Sequence, residues 1–299
     1  MIRVALAATV RTLPRGDGLA YEPKFDGHRL VIVRTAEDVV LQARSGRIVT
    51  AAFPDLAAAA RRLPAETVLD GEVVIWHAGR TDFALVQRRA AAPTAARAAV
   101  LAQSLPASYA AFDVLELAGL DLRGRTYERR RALLVDLLLP LGPPLQPVPM
   151  TTDPELAATW YETLPASGIE GLVVKRLDQT YPAGRRGWQK LRHTQVRDAA
   201  VVGYTGTPRR PLALVLVLPV GDETPLVSSP LTAALRAQVV AAVAERDAPS
   251  RTPAGATVTA IGLGEVPYRP LDPPLTAEVR HPSTARHPPP EVIRLRTEL

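Results

Sequence analysis

Three lysines stand out in a chain that carries nearly all of its positive charge on arginine. Of the 36 basic residues, only Lys24, Lys175 and Lys190 are lysine. A lysine amine can lose its proton and attack an electrophile, whereas an arginine guanidinium stays protonated. These positions are therefore the first candidates for covalent chemistry. A codon bias against lysine is the alternative explanation of their rarity.

Lys24 lies in the segment EPKFDGHRL. Pro23 stiffens the approach to it, the Asp-Gly that follows favours a tight turn, and Arg29 returns a second positive charge toward the lysine. We therefore predict that residues 22–35 begin as a loop that carries Lys24 and continue as the strand HRLVIVR. At this point the choice is between a nucleophilic amine and an ordinary lysine in an exposed turn.

Two further segments place a chemically distinctive side chain on a predicted strand. In LDGEVVIW, the period of two puts Glu72, Val74 and Trp76 on one face. A carboxylate beside apolar side chains is costly unless it binds a group such as a ribose hydroxyl or a cation. The alternative is an edge-strand acid facing water. In AAFDVLEL, Phe112 forms either one wall of an aromatic slot for a purine base or ordinary core.

The other two lysines each lie near a charged residue on a strand. Glu170 and Lys175 in EGLVVKRL have an odd spacing, so they reach one ligand only if the strand twists or bulges. In GWQKLRH, the side chains of Trp188, Lys190 and Arg192 alternate onto one face. Because two neighbouring cations repel each other, a polyphosphate or a phosphodiester is the natural group between them. A solvated pair on an edge strand is the alternative.

The elements that must position these residues divide the chain in two. Predicted strands and helices alternate up to about Arg197, and one of the helices, TYERRRALLVDLL, has arginines that we assign to its exposed side. Beyond that point, strands surround one Ala-rich helix over residues 232–248. A chain of 299 residues is long enough for two cores. We predict an α+β fold with domains over 1–197 and 198–299.

The composition narrows the class of protein. A net charge of +6 and an isoelectric point of about 9.9 favour polyanionic partners. The absence of cysteine excludes disulfides and thiolate metal sites, and a reducing cytoplasm is the default location. No apolar run approaches the ~20 residues that a transmembrane helix needs. The N-terminal segment shows no convincing signal-peptide cleavage site, so we expect none.

The segment EPKFDGHR fits the Glu-x-Lys-x-Asp-Gly-x-Arg pattern of the covalent nucleotidyltransferases. This superfamily comprises ATP-dependent DNA ligases, RNA ligases and mRNA capping enzymes. Further segments resemble its other motifs, in the same order and with similar separations: ARSGR, LDGEVV, AAFDVLEL, EGLVVK and WQKLR. The terminal RHPPPEVIRLRTE resembles the last motif of bacterial ATP-dependent DNA ligases. The resemblance covers essentially the whole chain after residue ~20, and all three lysines lie within it.

The resemblance implies a minimal two-domain bacterial DNA ligase, with an adenylation domain followed by a small β-barrel OB-fold. It implies that Lys24 forms a covalent bond with AMP from ATP in the presence of Mg²⁺ or Mn²⁺. Glu22 matches a position that contacts the adenine amino group, and Phe112 matches one that stacks on the base. Glu72 and Glu170 match carboxylates linked to the metal.

The remaining matches are cations. Arg29 and Arg44, together with Glu72, match positions that serve the ribose and phosphates, and Arg29 joins Lys24 and Lys190 as a candidate catalytic residue. Positions around the α-phosphate or the nick phosphate correspond to Lys175, Lys190 and Arg192. Those that orient pyrophosphate correspond to Arg294 and Arg296. In the segment YPAGRRG, either Arg185 or Arg186 corresponds to a further functional arginine.

The predicted reaction is the sealing of nicks in duplex DNA by a monomeric cytoplasmic enzyme associated with the nucleoid. Nicked double-stranded DNA is the predicted partner, repair proteins are further candidates, and no membrane is involved. Within the superfamily, an RNA ligase or a capping-type guanylyltransferase is the alternative. In another class, the alternative is a non-catalytic OB-fold protein that binds nucleic acid and carries a degenerate transferase domain.

Overall fold

The chain folds into two compact units, Met1–His193 and Thr194–Leu299. The structure is a computed structural model that describes residues 1–218, 225–244, 256–260, 264–282 and 289–296. The sequence placed the domain boundary near Arg197, and the units divide at His193. Within the described ranges, no helix is both long enough and apolar enough to cross a membrane.

The first unit combines strands and helices. Its strands are, in chain order, β1 (Leu6–Val10), β2 (Leu19–Phe25), β3 (His28–Arg34), β4 (Val39–Ala43), β5 (Thr67–Val74), β6 (Trp76–His77), β7 (Arg80–Thr81), β8 (Ser108–Leu117), β9 (Leu120–Asp121), β10 (Leu145–Pro147), β11 (Ile169–Arg176) and β12 (Arg186–Arg192). Its helices are α1 (Pro54–Ala60), α2 (Phe83–Ala90), α3 (Ala95–Ser104), α4 (Tyr127–Leu138) and α5 (Pro154–Thr163), with short 3₁₀ helices over Thr50–Ala52 and Leu164–Ser167.

These strands form two main sheets. One is a four-stranded sheet in the order β1-β12-β11-β2, and the other is six-stranded, in the order β10-β8-β5-β3-β4 with β9 beside β8. On one face of the six-stranded sheet, Leu30 and Ile32 pack in a core with Leu134 and Leu138 of α4. On its other face, Val31 and Leu115 pack with Trp188 of the four-stranded sheet. The two sheets therefore pack against each other.

Lys24 lies in strand β2 rather than in the predicted loop, so that prediction was wrong. Strand β2 is at the edge of its sheet and pairs with β11, with Pro23 opposite Leu172. Tyr21 turns its backbone N–H and C=O away from β11, toward Thr151. Pro23, two residues on, has the same orientation, so its missing N–H leaves no gap in the ladder. An edge strand tolerates proline in this way.

Helix α4 also corrects the sequence analysis. The helix begins after Thr126, whose hydroxyl accepts a hydrogen bond from the backbone N–H of Arg129. Its arginines were predicted to face solvent, yet Arg130 and Arg131 are buried and only Arg129 is exposed. Arg130 donates two hydrogen bonds to Asp113 on β8, at 2.7 and 2.9 Å. The Asp113 carboxylate lowers the cost of burying the Arg130 cation. Because Asp113 lies on another element of the chain, the periodicity of the helix alone does not reveal this partner.

Strand β5 contains a register shift and ends earlier than predicted. The Asp-Gly at residues 70–71 does not break the strand, although the register with β8 shifts there. Gly71 is required at this shift because an added Cβ would lie 2.5 Å from the ring of Tyr109. Strand β5 ends at Val74, so Trp76 belongs to the following hairpin and does not share a strand face with Glu72.

The second unit consists mostly of strands. They are β13 (Thr194–Thr207), β14 (Arg210–Val217), β15 (Leu226–Val227), β16 (Thr257–Ala260), β17 (Gly264–Pro267), β18 (Arg269–Pro282) and β19 (Glu291–Arg296), with one described helix, α6 (Ala233–Ala244). Five strands form an antiparallel sheet in the order β15-β14-β13-β18-β19, and β16 pairs with β17. The last four residues of the predicted helix, 245–248, lie outside the described residues. The described residues together form a mixed α/β structure in which strands predominate.

Candidate active site

Lys24 sits in a partly open position beside a buried acid. Its Nζ lies 2.5 Å from Oε1 of Glu170, and its side chain is 20% exposed while that of Glu170 is only 3% exposed. The same Glu170 oxygen lies 2.7 Å from Nε of Arg192. Neither Glu170 Oε1 nor Arg192 Nε has a partner with hydrogen-bond alignment. The contacts are therefore charge contacts, and the oxygen keeps its capacity to accept from a ligand.

A bulge in strand β11 brings Glu170 to Lys24. The register of β11 against β2 shifts between Ile169 and Gly171, and Gly171 has φ of +148°. A Cβ on Gly171 would lie 2.0 Å from the carbonyl oxygen of Leu191, so a side chain does not fit. A bulge was one of the conditions for Glu170 and Lys175 to reach one ligand, yet the two residues contact different partners, Lys24 and Glu22.

The end of strand β12 is held by two residues that the sequence analysis missed. Tyr161 of α5 donates a hydrogen bond to the carbonyl oxygen of Arg192 at 3.1 Å, and its ring stacks on that of His193 at 3.8 Å. The backbone N–H of His193 donates to the carbonyl oxygen of Glu170 at 2.9 Å. These contacts position Arg192 against Glu170. No local pattern pairs Tyr161 with His193, so the sequence offered no signal for them.

A second lysine–glutamate pair lies deeper between the sheets. Lys175 Nζ is 2.7 Å from Glu22 Oε2, and the two side chains are 0% and 2% exposed. The hydroxyl of Tyr127 donates to the other oxygen of Glu22. Lys175 also donates to the carbonyl oxygen of Phe112 at 2.8 Å. The structure therefore joins Lys175 to Glu22 and not to the cluster around Lys24, and Tyr127 is a further residue that the sequence analysis missed.

Aromatic rings enclose the Lys175 ammonium group. Its Nζ lies 4.3, 4.5 and 5.1 Å from the ring centroids of Trp188, Tyr127 and Phe112. Phe112 is half-buried and meets Trp188 edge-on at 5.7 Å. Burial lowers the pKa of Lys175, and the Glu22 carboxylate opposes that shift. One side of Phe112 is therefore core, while its partial exposure leaves room for the predicted stacking role.

Arg29 is fixed by structural contacts. Its guanidinium donates to both carboxylate oxygens of Asp70, at 2.9 and 2.6 Å, and to the carbonyl oxygen of Ala5 at 2.6 Å. Tyr181 donates to the same Asp70 at 2.5 Å, and the guanidinium carbon lies 5.1 Å from the ring centroid of Phe112. Arg29 thus supports the wall of the site, and its charge still acts on Glu72, which is paired with it across β3 and β5.

Two partly buried acids near Lys24, Glu72 and Asp26, have raised pKa values. Burial raises the pKa of Glu72 to about 7, with Lys24 and Arg29 opposing the shift. Burial and the charge of Glu170 raise the pKa of Asp26 to about 6. Asp26, inside the Lys-x-Asp-Gly segment, was not among the predicted site residues. An acid two residues after Lys24 was the sequence feature that could have indicated its place in the site.

The cations of the site repel one another. Burial and the charges of Arg192 and Lys24 lower the pKa of Lys190 to about 8, and the exposed Arg44 contributes to the shift. Strand β12 carries Lys190 and Arg192 on one face, as predicted. An anion placed among these side chains would relieve their repulsion. The arrangement is therefore suited to a phosphate group next to a primary amine.

The described residues contain no group of three or more His, Asp or Glu side chains that could hold a metal ion by itself. Two carboxylates nonetheless fit a divalent cation that keeps phosphate and water ligands. Glu170 has a buried oxygen without an aligned hydrogen bond. Glu72 lies nearby, and the charge of Glu170 contributes to its raised pKa. Mg²⁺ commonly binds through one or two carboxylates plus substrate phosphates.

Arg294 and Arg296 lie in the second unit, on strand β19. Arg294 donates to Glu278 at 2.9 and 2.7 Å, and Arg296 donates to Asp198 at 2.7 Å while lying 3.2 Å from Glu278. The register puts Asp198, Glu278 and Arg294 side by side on three neighbouring strands. Within this unit the two arginines therefore neutralise adjacent acids on an exposed sheet face.

Comparisons with known proteins agree on one family. The family model described as "ATP dependent DNA ligase domain" matches residues 4–192. The chain is 38% identical over 200 residues to DNA ligase C2 of Mycolicibacterium smegmatis, covering 67% of this chain and 56% of that protein. It is 36% identical over 204 residues to DNA ligase C of Mycobacterium tuberculosis, with the same coverage of both chains. The chain thus matches little more than half the length of these relatives.

A solved structure extends the likeness over both units. The structure described as mycobacterial DNA ligase D complexed with ATP and MES is 26% identical, with a TM-score of 0.57. The match covers 100% of this chain and 96% of that one.

Proposed function

The chain belongs to the ATP-dependent DNA ligase domain family, and on that premise we propose that it seals nicks in duplex DNA through a lysyl-AMP intermediate on Lys24. The observation that carries the proposal is the setting of Lys24. Its amine is partly exposed, lies 2.5 Å from Glu170 and has Lys190 and Arg192 as cationic neighbours. A nucleophile beside phosphate-binding cations is what nucleotidyl transfer requires.

In the first step, the deprotonated amine of Lys24 attacks the α-phosphorus of ATP. A P–N bond forms, the bond to the bridging oxygen breaks, and pyrophosphate leaves with the bonding electrons. Lys190, Arg192 and Arg44 neutralise the phosphates as charge develops. Mg²⁺ or Mn²⁺, held by Glu72 and Glu170 together with phosphate oxygens, would supply further charge neutralisation. Positioning and electrostatics account for most of the rate in such transfers.

The nucleoside is recognised by the deeper residues. Phe112 stacks on the adenine through its exposed side, and Glu22 accepts from the adenine amino group. Glu22 is held in place by Tyr127 and by Lys175, whose contribution is to fix that carboxylate. Arg29 acts through its charge and by supporting Phe112.

In the later steps, AMP passes from Lys24 to the 5′-phosphate of a nick, and the 3′-hydroxyl then displaces AMP as the phosphodiester bond forms. We assign adenylation to the first unit and propose an OB-fold for the second. Its five-stranded antiparallel sheet and its helix α6 support that assignment. Arg294 and Arg296 would exchange their acidic partners for pyrophosphate.

Labelled nucleotide tests the proposal directly. The protein is incubated with labelled ATP, GTP or NAD and a divalent metal, and label is then measured on the denatured protein, with intact mass as the second readout. Label from ATP and an added AMP mass support the proposal. Label from GTP would favour a capping-type guanylyltransferase, and no label from any nucleotide would favour a protein that only binds nucleic acid.

Parallel salt titrations test the DNA-dependent steps. Binding to phosphates through arginine and lysine releases counterions, so log affinity falls with log salt at a slope of about −0.9 per phosphate neutralised. Nick sealing should therefore collapse between roughly 50 and 200 mM salt. Self-adenylation needs no DNA and should fall far less. If both activities decline together, salt acts on the site or the fold and not on a DNA interface.

A further inference from the structure

A short hairpin projects next to the strand that carries Lys24. Strands β6 and β7 pair through Trp76 with Thr81 and His77 with Arg80. Ala78 and Gly79 form the turn, with φ of 48° and 79°. All residues from 76 to 80 are exposed, and Trp76 itself is 47% exposed. Tryptophan is usually well buried, so this exposure needs a reason.

The base of the hairpin is rigidly attached. The hydroxyl of Thr81 donates to the carbonyl oxygen of Gly168 at 2.9 Å, and the N–H of Asp82 donates to the carbonyl oxygen of Ile75, also at 2.9 Å. Gly168 has φ of +82°, and a Cβ there would lie 2.4 Å from the Thr81 hydroxyl. Gly168 directly precedes strand β11. The hairpin is therefore fixed beside the strand that holds Glu170.

The position of Trp76 connects the hairpin to the nucleophile. Its ring meets that of Phe25 edge-on at 6.5 Å, and Phe25 directly follows Lys24. Among the described residues, the side chains of His77 and Arg80 form no hydrogen bond or ion pair. The adjacent acid, Asp82, accepts a hydrogen bond from the backbone N–H of Leu85 at the start of α2. The hairpin thus presents an aromatic ring, an imidazole and a guanidinium without a competing exposed carboxylate.

We propose that the hairpin of residues 76–81 is a DNA contact of the ligase, in which Trp76 packs against a sugar or base beside the nick. Arg80 and His77 then lie against the flanking phosphates. This inference rests on the proposed function. If the 5′-phosphate of a nick reaches the adenylated Lys24, the duplex beside the nick must lie against the protein surface around Lys24. Exposed aromatic rings combined with cations are the usual means of holding nucleic-acid strands.

Binding of a nicked duplex tests the proposal. Fluorescence anisotropy with labelled nicked DNA measures Kd for Trp76→Ala, Trp76→Phe and Arg80→Ala. We expect Trp76→Ala to raise Kd about tenfold or more and Trp76→Phe to retain most of the affinity. Arg80→Ala should make the salt dependence of log Kd shallower by about 0.9. Self-adenylation should remain at the wild-type rate in all three variants.

The matched controls are Leu139→Ala and Arg129→Ala, which remove an exposed apolar group and an exposed cation at α4. They should leave Kd unchanged. The proposal is overturned if Trp76→Ala binds nicked DNA as the wild type does, or if it lowers self-adenylation in parallel. If the wild type takes no AMP but its binding of DNA depends on Trp76, the proposed function fails and the contact stands. If the wild type takes AMP but Trp76→Ala leaves DNA binding unaltered, the contact fails and the proposed function stands.

Discussion

Two lysine–glutamate pairs connect strands β2 and β11, and the strand that supplies the lysine differs between them. In one, Lys24 of β2 meets Glu170 of β11, and in the other Lys175 of β11 meets Glu22 of β2. The lysine of the first pair is 20% exposed, and that of the second is 0% exposed. Glu170 is shared with Arg192 and lacks an aligned hydrogen bond, whereas Glu22 has a hydrogen bond from Tyr127.

The difference shows that residue type does not decide the role of a lysine here. Both pairs contain the same groups at similar distances. The enclosed pair has its charges satisfied by each other, by Tyr127 and by aromatic rings, so it can serve as structure. The open pair is accessible to a ligand, and its glutamate also contacts a second cation, Arg192. This pair can therefore take part in the reaction. Substitutions that act on one pair and spare the other test this division.

The largest effect is expected from Lys24→Ala. Self-adenylation should fall by at least about a thousandfold, because the variant lacks the nucleophilic amine and the neighbouring arginines cannot replace it. Thermal stability should change little, since Arg192 remains beside Glu170. The variant should still seal a pre-adenylated nick weakly. Label transfer from ATP and a thermal melt provide the measurements, and an AMP adduct that persists on this variant would refute the assignment.

Lys175→Met should act in the opposite way, on the fold. Removing this cation leaves the Glu22 carboxylate buried without its partner, which costs about 3–5 kcal/mol of unfolding free energy. Urea denaturation measures the loss. The double variant Glu22→Gln with Lys175→Met should recover part of it, because no charge then remains buried. Lys190→Met, at a half-buried position, serves as the control and should lose less. Wild-type stability in Lys175→Met would contradict the comparison.

Gly171→Ala tests the bulge that opens the first pair. Gly171 and Gly16 have nearly equal φ values, +148° and +146°. An added Cβ would clash with Leu191 at Gly171, whereas at Gly16 it would meet no atom within 4 Å. Gly16→Ala should cost about 1–3 kcal/mol from backbone strain alone. Gly171→Ala should cost more and also slow self-adenylation, because Glu170 moves. Equal losses in the two variants would mean that crowding at the bulge is unimportant.

Phe112 lies beside Lys175 of the enclosed pair, and its substitution should have a smaller effect. Phe112→Ala should raise KM for ATP by a factor that corresponds to about 1–3 kcal/mol, because base stacking is lost. Phe112→Tyr and Phe112→Trp should retain most of the affinity. Initial-rate kinetics of self-adenylation and thermal melts separate the two roles. Equal loss of stability in all three variants with unchanged KM would make Phe112 core only.

The smallest effect concerns Glu72, an acid without a bonded cation among the described residues. Its pKa rises from an ordinary value of 4.5 to about 7 in the folded protein. The folded state therefore binds the extra proton in this window, and stability falls as pH rises from about 4.5 to about 7. Glu72→Gln does not titrate, so its stability relative to wild type should improve over that range. Urea denaturation at pH 4, 6 and 8 measures the trend; a constant difference contradicts it.

Much of the organisation was predictable from local pattern. The segment HRLVIVR was predicted to be a strand, and strand β3 has these bounds. Strand β11 has the kind of bulge that a shared ligand for Glu170 and Lys175 required, but the two residues contact different partners. The catalytic role of Lys24 remains a prediction, since geometry shows a suitable setting and not a reaction.

The sequence by itself determined which residues could do chemistry, because rarity and spacing of lysines and acids are local properties. Only the tertiary structure decided which lysine is open, why Arg130 is buried, and how Tyr161 and His193 hold the end of β12. The physical reason is that the cost of burying a charge depends on its partners and its solvent exposure. Those partners come from strands and helices far away in the chain, and only packing of the sheets brings them together.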